Sequence, residues 1–86
     1  MIYSLGMSAK AQHAPKYGLL PVLLRTMRQE AGMTQRKLGA RLNKPQSWVY
    51  NCEVANRRVD VTEFILWAKA CGVNPLQAFK RILEEW

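Results

Sequence analysis

The most informative segment of the chain runs from Thr34 to Val54 and reads TQRKLGARLNKPQSWVYNCEV. Its apolar residues recur at helical spacing until Asn43 and Pro45 interrupt the pattern. Asparagine tolerates the positive φ that often ends a helix, and proline suits the first position of the next helix because it lacks an N–H. The segment therefore predicts two short helices joined by a tight turn, the second running from about residue 45 to residue 54.

Upstream of this segment, the apolar residues predict one amphipathic helix. They recur at helical spacing as Leu20, Leu23, Leu24, Met27 and Ala31. Gly32 follows, and glycine accommodates the left-handed conformation that closes a last helical turn. The hydroxyl of Thr34 can then accept a hydrogen bond from a free backbone N–H of the next helix. Residues 1–17 precede this pattern and are expected to form a flexible arm.

Two further helices are predicted downstream, and the first has a clear start. Asp60 followed by Glu63 matches a capping box, in which each side chain bonds the backbone N–H of the other residue. Gly72 ends this helix, and Asn74 begins the last one. The residues of the later helices expected to face the core are Val49, Cys52, Val61, Phe64, Ile65 and Ala68. Since no segment alternates strictly between apolar and polar residues, residues 18–86 are predicted to form one all-α domain of five helices.

The charge of the chain is strongly positive and unevenly placed. The 86 residues carry 13 lysines and arginines against six aspartates and glutamates, a formal net charge of +7. Residues 34–59 hold six of the basic residues and a single acid, Glu53. A run of charge is usually a solvated surface, so composition alone leaves open whether this segment binds an anion.

The geometry of the two short helices favours DNA as that anion. Two helices joined by a short turn can place the second helix in the major groove. The free N–H groups at its start favour phosphate, and a cationic rim can hold the DNA backbone. Gln46, Ser47 and Asn51 carry side chains of the types that reach base edges. Outside such a framework the same residues would more often be ordinary solvent-facing residues.

The sequence offers little for other kinds of site. Cys52 and Cys71 both fall on apolar helical faces and are interpreted as buried, reduced side chains, which indicates a cytoplasmic protein. His13 has no neighbouring ligand, so no metal site is predicted. No nucleophile with a base and no glycine-rich phosphate loop is found, so neither an enzyme nor a cofactor is predicted. The longest apolar stretch, around residues 19–24, is far shorter than the roughly 20 residues of a membrane span.

In order and spacing, these residues resemble a known family. The matching stretches are Leu24-Arg25 with Arg28, Ala31 to Gln35, Leu38, Leu42, Pro45 to Val49, Glu53, Asp60-Val61, Glu63-Phe64 and Gly72 to Pro75. Together they cover about two thirds of the chain and resemble the XRE family of phage-repressor and Cro-like helix-turn-helix regulators. The resemblance implies a five-helix, lambda-repressor-like domain with its helix-turn-helix at about residues 34–54. It also implies a sequence-specific transcriptional repressor that inserts residues 45–54 into the major groove of an operator in double-stranded DNA.

The resemblance assigns roles to particular residues. Those expected to contact bases are Gln46, Ser47, Tyr50 and Asn51, and those expected to contact phosphates are Gln35, Arg36, Lys37, Lys44, Arg57 and Arg58. Gln35 would also brace Gln46. Arg28 and Glu53 would form a partly buried ion pair between the first and third helices. If the pair is buried, losing one partner could cost a few kcal/mol, because the other charge would be left uncompensated. For Tyr50, contact with a thymine methyl group, contact with a phosphate and packing within the protein all stay open.

The chain departs from the family pattern at three positions. Gly39 replaces an alanine. It still satisfies the need for a small residue at the helix crossing, but it is expected to weaken the second helix by up to about 1 kcal/mol. Asn43 replaces a glycine and is compatible with the turn. Ala55 replaces the glycine that commonly follows the third helix, and alanine disfavours a positive φ. The loop that carries Arg57 and Arg58 is therefore expected to differ from that of the family.

The last helix carries apolar residues that suggest a partner. Phe79, Leu83 and Trp86 form a stripe that would usually belong to the core. A regulator of this length has no room for a separate dimerisation domain, so we expect this helix to pair two copies about a twofold axis, with Trp67 as a further contact. Trp48 is expected to pack between helices, with contact to the sugar-phosphate backbone as the alternative. The main alternative to a repressor is an antitoxin-like or phage accessory subunit that binds a protein partner through the same fold.

Overall fold

The computed structural model describes residues 15–86, which form a short 3-10 helix followed by five α-helices. The 3-10 helix is Pro15–Gly18, and the α-helices are α1 Leu19–Glu30, α2 Gln35–Leu42, α3 Gln46–Glu53, α4 Val61–Ala70 and α5 Pro75–Glu85. The described residues contain no strand, so the predicted all-α fold of five helices is confirmed. No helix within this range is long and apolar enough to cross a membrane.

The helices end where the sequence predicts, because residues that adopt a positive φ stand at the breaks. Gly32 and Gly72 follow α1 and α4 with φ of 72° and 74°, and Asn43 ends α2 with φ of 58°. In these conformations the chain turns away while its N–H groups still bond the carbonyls of the preceding turn.

The helix starts are capped by the predicted side chains. The Thr34 hydroxyl accepts from the N–H of Lys37 at 3.1 Å. Asp60 and Glu63 form a complete capping box, with the Asp60 carboxylate accepting from the Glu63 N–H at 2.7 Å and the Glu63 carboxylate accepting from the Asp60 N–H at 3.0 Å. Asn74 caps the first turn of α5 in the same way. Each such cap contributes about 1 kcal/mol to stability.

The third helix is shorter than the predicted range of residues 45–54. Pro45 has φ of −68° and ψ of 159°, so it precedes the helix as an extended cap instead of forming its first turn. Val54 lies just past the other end. The helix proper therefore covers eight residues and has little stability of its own, so packing against α1 and α2 holds it in place.

The core surrounds the indole of Trp67, which is fully buried. Its Nε1–H donates to the backbone carbonyl of Leu24 at 3.0 Å and so joins α4 to α1. The buried hydrophobic residues are Leu23, Leu24, Met27, Met33, Leu38, Val49, Cys52, Val59, Phe64, Trp67, Ala68, Cys71 and Ala78. Cys52 and Cys71 are both free and buried, as predicted.

Three residues predicted to face the core lie at the surface instead. Ala31 is exposed just beyond the end of α1, and Val61 and Ile65 are exposed on α4. The large side chain of Trp67 sets the inward face of α4, together with Phe64 and residues one turn further along. Ile65 is consequently rotated to the edge of the core, which the apolar spacing alone does not reveal.

The sequence predicts an arm over residues 1–17. Residues 1–14 of this arm, including His13, lie outside the described residues. Residues 15–17 are part of the folded domain, contrary to the expected boundary. The N–H of Val59 donates to the Tyr17 hydroxyl at 2.8 Å, and the Lys16 ammonium donates to the carbonyl of Trp86 at 2.7 Å. These contacts join the start of the described chain to the loop before α4 and to the end of α5.

Candidate nucleic-acid interface

The turn between α2 and α3 closes tightly because of a glycine. The N–H of Lys44 donates to the carbonyl of Gly39 at 2.8 Å. A Cβ added to Gly39 would stand 2.6 Å from the carbonyl oxygen of Lys44, closer than any ordinary contact. Gly39 is therefore required by this turn, and the small residue expected at this position has to be glycine. This tight turn fixes how α3 lies against α2.

The first turn of α3 points away from the protein. Gln46 and Ser47 are exposed, and Tyr50 is 47% exposed, which rules out complete packing of its ring within the fold. Val49 lies beneath them and is fully buried. Pro45 provides no side-chain hydrogen bond to the helix start, and none is supplied by any other side chain in residues 15–86. The N–H of Trp48 donates to the carbonyl of Pro45 at 3.0 Å, so the N–H groups of Gln46 and Ser47 are the ones available to an anion.

Asn51 lies further along the same helix and is half-buried. Its side-chain oxygen accepts from the side-chain amide of Asn56 at 3.1 Å. Its backbone oxygen also accepts from the N–H of Asn56 at 2.9 Å. Asn51 therefore supports the loop after α3, and a base could be reached only through the remainder of its amide.

A buried ion pair ties α3 to α1. The Nε of Arg28 donates to one carboxylate oxygen of Glu53 at 2.6 Å, and Nη2 donates to the other at 3.0 Å. The Glu53 side chain is 2% exposed and that of Arg28 is 11% exposed. Arg28 also donates to the carbonyl of Met33 at 2.8 Å, and its hydrogen bonds to Glu53 raise the pKa of the guanidinium. Both buried charges are thus compensated.

A chain of hydrogen bonds leads from this ion pair to the surface. The Nε2 of Gln35 donates to Glu53 Oε1 at 3.0 Å. Gln46 then donates through its own Nε2 to Gln35 Oε1 at 2.6 Å. The hydrogen bond between the two glutamines agrees with the contact that the resemblance implies. Nothing in the sequence predicted the hydrogen bond from Gln35 to Glu53. The exposed Gln46 is thereby connected, through one intermediate side chain, to a buried carboxylate.

Four exposed cationic side chains lie in the segments before and after α3. Arg36, Lys37, Lys44 and Arg58 are all exposed. None of these four forms an ion pair with another residue of the range 15–86. Beside them an open cavity of about 540 Å³ is lined by Arg28, Thr34, Gln35, Arg36 and Gln46. Gln46 therefore lies beside an uncompensated positive charge, that of Arg36.

Comparisons with known proteins agree with this geometry. The sequence matches the helix-turn-helix domain family over residues 20–78. The fold is similar to the solved structure of an XRE-family like protein from Pseudomonas syringae pv. tomato str. DC3000, with a TM-score of 0.78. The two sequences are 37% identical, and the match covers 91% of this chain and 95% of that one. The chain belongs to the XRE family of helix-turn-helix regulators.

A second solved structure similar to this XRE-family chain is a single-residue variant of the restriction-modification controller protein C.Esp1396I. The two are 21% identical, with a TM-score of 0.77, over 84% of this chain and 96% of the other, which shows that they share the fold. No curated protein matches the chain.

One cation of the XRE regulator differs from the others in its surroundings. Arg57 donates to the carboxylate of Glu63 with both terminal nitrogens, at 3.1 and 3.2 Å, and these bonds raise the pKa of the guanidinium. It also donates to the sulfur of Cys52 at 3.6 Å. Arg57 thus helps to hold the loop in place through Glu63, and its expected contact with phosphate stays a prediction. The sequence predicted Glu63 as part of the capping box, but nothing in the sequence indicated that Glu63 would also pair with Arg57.

Trp48 packs between helices of the XRE domain, as expected from the sequence. It is half-buried against the core, with its ring centroid 6.1 Å from that of Trp67. The guanidinium carbon of Arg57 lies 4.9 Å from the Trp48 ring centroid and the ammonium of Lys44 lies 5.3 Å from it. Cation–π attraction on this scale contributes about 0.5 to 1 kcal/mol at exposed sites. The ring therefore also orients two cations beside α3.

The loop after α3 keeps a backbone conformation that glycine would favour. Ala55 has φ of 61°, and the N–H groups of Asn56 and Arg57 both bond to the carbonyl of Asn51, at 2.9 and 3.3 Å. The expectation that alanine at this position would change the loop is therefore wrong for the backbone at Ala55. An alanine in this region costs about 1 to 2 kcal/mol compared with its relaxed conformation.

The α5 stripe of the XRE domain is exposed. Phe79, Leu83 and Trp86 are 47%, 54% and 63% exposed. The ammonium of Lys16 lies 4.5 Å from the Trp86 ring centroid and covers part of it. Trp67 is fully buried and cannot join these residues in a contact with a second copy, which corrects that expectation. Residues 15–86 contain no cluster of three or more histidine, cysteine or acidic residues that could hold a metal ion.

Proposed function

We propose that this XRE regulator is a sequence-specific transcriptional repressor that inserts α3 into the major groove of an operator. One observation carries the proposal. Ser47 and Tyr50 are exposed on α3, and the exposed Gln46 lines an open cavity together with Arg36, a cation that has no acidic partner in residues 15–86. Polar side chains at a helix start read base edges, and the surrounding cations bind the phosphates on either side of the groove.

In this proposal, the residues around α3 divide into two sets. Bases are read by Gln46, Ser47, Tyr50 and Asn51, the last through the part of its amide that Asn56 leaves free. Phosphates are bound by Gln35, Arg36, Lys37, Lys44 and Arg58. Arg57 belongs to neither set because its charge is already paired with Glu63. The available N–H groups at the start of α3 add a further phosphate site.

Repression in this proposal requires occupancy of DNA and no chemical step. The protein would act in the cytoplasm, where an operator is accessible and where Cys52 and Cys71 would stay reduced. Polymerase would be excluded from a promoter that overlaps the site.

We further propose that the repressor binds as a homodimer through the α5 stripe. About half of each stripe side chain is exposed, and burying it against a second copy would stabilise both through the hydrophobic effect. A twofold dimer would place its two recognition helices on half-sites about 34 Å apart, or a multiple of that distance. Sedimentation equilibrium tests this: the native chain should dimerise at micromolar concentration and Leu83→Glu should be a folded monomer. A native monomer with and without DNA would contradict the dimer.

Selection from random DNA duplexes tests the proposed function. The protein should enrich one sequence with twofold symmetry, and Gln46→Ala with Ser47→Ala should lose that enrichment while binding bulk DNA at low salt. Thermal unfolding of the double variant provides the control, since both residues are exposed and should contribute little to stability. Binding of all duplexes with equal affinity by the native protein would contradict the proposal.

A protein-binding subunit, antitoxin-like or phage accessory, is the second candidate. Its support is the exposure of Val61, Ile65 and Leu66 on α4, in addition to the α5 stripe. Exposed apolar residues in such number favour an interface with protein. Failure of the DNA selection, together with a stoichiometric complex whose formation is abolished by Ile65→Glu, would favour this candidate over the repressor.

A further inference from the structure

We propose that Glu53, although buried, determines which base Gln46 accepts, by fixing the orientation of two side-chain amides in sequence. This inference rests on the proposed function and identifies a positioning residue for base recognition. The basis is the hydrogen-bonded chain from Glu53 through Gln35 to Gln46, at 3.0 and 2.6 Å.

The first step concerns the carboxylate. Glu53 accepts two hydrogen bonds from Arg28 and a third from Gln35. Both of its oxygens already act as acceptors in these bonds, so the side-chain amide of Gln35 presents its NH₂ group to it. With a side chain only 2% exposed, Glu53 has no access to bulk water that could substitute for this partner.

The second step passes this constraint to the surface. Because the Nε2 of Gln35 faces Glu53, its Oε1 must face the opposite way, toward Gln46. An oxygen can only accept, so Gln46 must also turn its NH₂ group toward Gln35. One N–H of Gln46 is used in this bond, which leaves its Oε1 and its second N–H for a ligand. The orientation of each amide thus follows from the chemistry of its neighbour.

The third step is the consequence for recognition. An amide held in this orientation can accept from the N6 amine of adenine through Oε1 and donate to N7 through the second N–H. Guanine has an oxygen, O6, in place of the amine, so the fixed Oε1 would face another acceptor. An amide free to rotate could turn its NH₂ group to O6 and tolerate guanine. Glu53 therefore supports discrimination of adenine from guanine at the base pair that Gln46 reads.

The experiment compares affinities for a selected duplex and for the same duplex with guanine in place of adenine at that base pair. The base pair that Gln46 reads is identified as the one at which Gln46→Ala removes the preference for one base. The native protein should prefer adenine about tenfold or more. In Glu53→Gln the residue at position 53 can either donate or accept, so the preference should fall at least about threefold. Gln35→Leu interrupts the chain without changing the ion pair, and the preference should fall similarly.

Two controls separate orientation from stability. Arg28→Lys weakens the ion pair but keeps the carboxylate, so the melting temperature should fall while the ratio of the two affinities stays unchanged. Glu53→Gln combined with Gln46→Ala should match Gln46→Ala alone, because the effect of Glu53 acts through Gln46. Where Glu53→Gln is too unstable to bind DNA, the result for Gln35→Leu decides.

The outcomes are distinct. An unchanged preference in both Glu53→Gln and Gln35→Leu would overturn the inference and leave the repressor standing. A fall of equal size in Arg28→Lys would also overturn it, because the ion pair would then act through stability alone. Absence of any base preference in the native protein would instead contradict the proposed function.

Discussion

Both terminal nitrogens of the Arg57 guanidinium donate hydrogen bonds to the carboxylate of Glu63, at 3.1 and 3.2 Å. The same carboxylate accepts from the N–H of Asp60 in the capping box of α4. One acid therefore holds the loop after α3 and begins the next helix. The neighbouring Arg58 is exposed and pairs with no acid of residues 15–86, so two consecutive arginines have different surroundings.

This difference predicts opposite effects for the two arginines. Arg57→Ala should lower the free energy of unfolding by about 1 kcal/mol, because a half-exposed ion pair and a contact with Trp48 are lost. Its DNA affinity should keep the same dependence on salt. Arg58→Ala should leave stability unchanged and reduce the salt slope by about one, as expected for a lost phosphate contact. Urea unfolding and titrations over a range of salt give both quantities, and equal slopes would refute the assignment.

Gln46→Ala should weaken binding to the selected site by about 1 to 3 kcal/mol and relax the preference at one base pair. Arg36→Ala or Lys37→Ala should instead weaken binding to all duplexes alike, with a salt slope shallower by about one. Fluorescence anisotropy with matched and substituted duplexes distinguishes these patterns. If Gln46→Ala lost affinity equally for every sequence, Gln46 would be a backbone contact.

Ala55→Gly should stabilise the protein by about 1 kcal/mol. The φ of 61° at Ala55 strains an alanine, and glycine relieves that strain while losing some of the gain to a more flexible unfolded chain. The change is measured by chemical denaturation. Ala40→Gly provides the control, since Ala40 is exposed within α2, where glycine should cost about 1 kcal/mol. A loss of stability in both variants would show that Ala55 is not strained.

Gly39→Ala should destabilise the protein by about 1 to 3 kcal/mol, because its Cβ would overlap the carbonyl oxygen of Lys44. The sign is informative, since alanine would otherwise strengthen α2 by up to about 1 kcal/mol. Gly18→Ala is a matched control: Gly18 has a φ of −56°, and a Cβ there would meet no atom within 4 Å. Denaturation midpoints of the two variants should move in opposite directions, whereas a stabilised Gly39→Ala would disprove the close approach.

Alkaline pH should destabilise the fold through Cys71. Burial raises the pKa of this thiol to about 11, above the value of about 8.5 for an unfolded cysteine. Between these two values the unfolded chain releases a proton that the folded one keeps. The free energy of unfolding should therefore fall as pH rises through this window, by at most about 1.4 kcal/mol per pH unit for this thiol.

The difference between the native protein and Cys71→Ala isolates this effect from the titration of lysines and tyrosines. Cys71→Ala should show a shallower fall in stability from about pH 9 to about pH 11. Parallel curves would mean that the thiol ionises in the folded protein as readily as in the unfolded one.

Most of the fold follows from local sequence. Glycines and caps mark the helix ends because they act on backbone groups within a few residues, as the capping box at Asp60 and Glu63 shows. Prediction failed where the environment of a side chain depends on distant residues. Val61 and Ile65 have core-like spacing, yet α4 packs against the other helices through Phe64, Trp67 and Ala68, and this leaves both of them exposed.

The candidate site divides in the same way. The types and spacing of Gln46 and Ser47 suffice to predict a recognition helix. The partner of Arg57 could not be predicted, because a flexible side chain can reach an acid of the next helix or a phosphate equally well. Only the packed loop places Glu63 close enough to bind it.

The sequence by itself thus determined an all-α helix-turn-helix domain, its helix boundaries to within a residue or two, and the position of its positive charge. These properties are set by backbone conformation and by short-range periodicity. The tertiary structure alone decided which cations stay unpaired, why Gly39 must be glycine, and how Glu53 reaches Gln46 through Gln35. Such contacts join a helix to another helix or to the turn that follows it, so they exist only once the helices have packed.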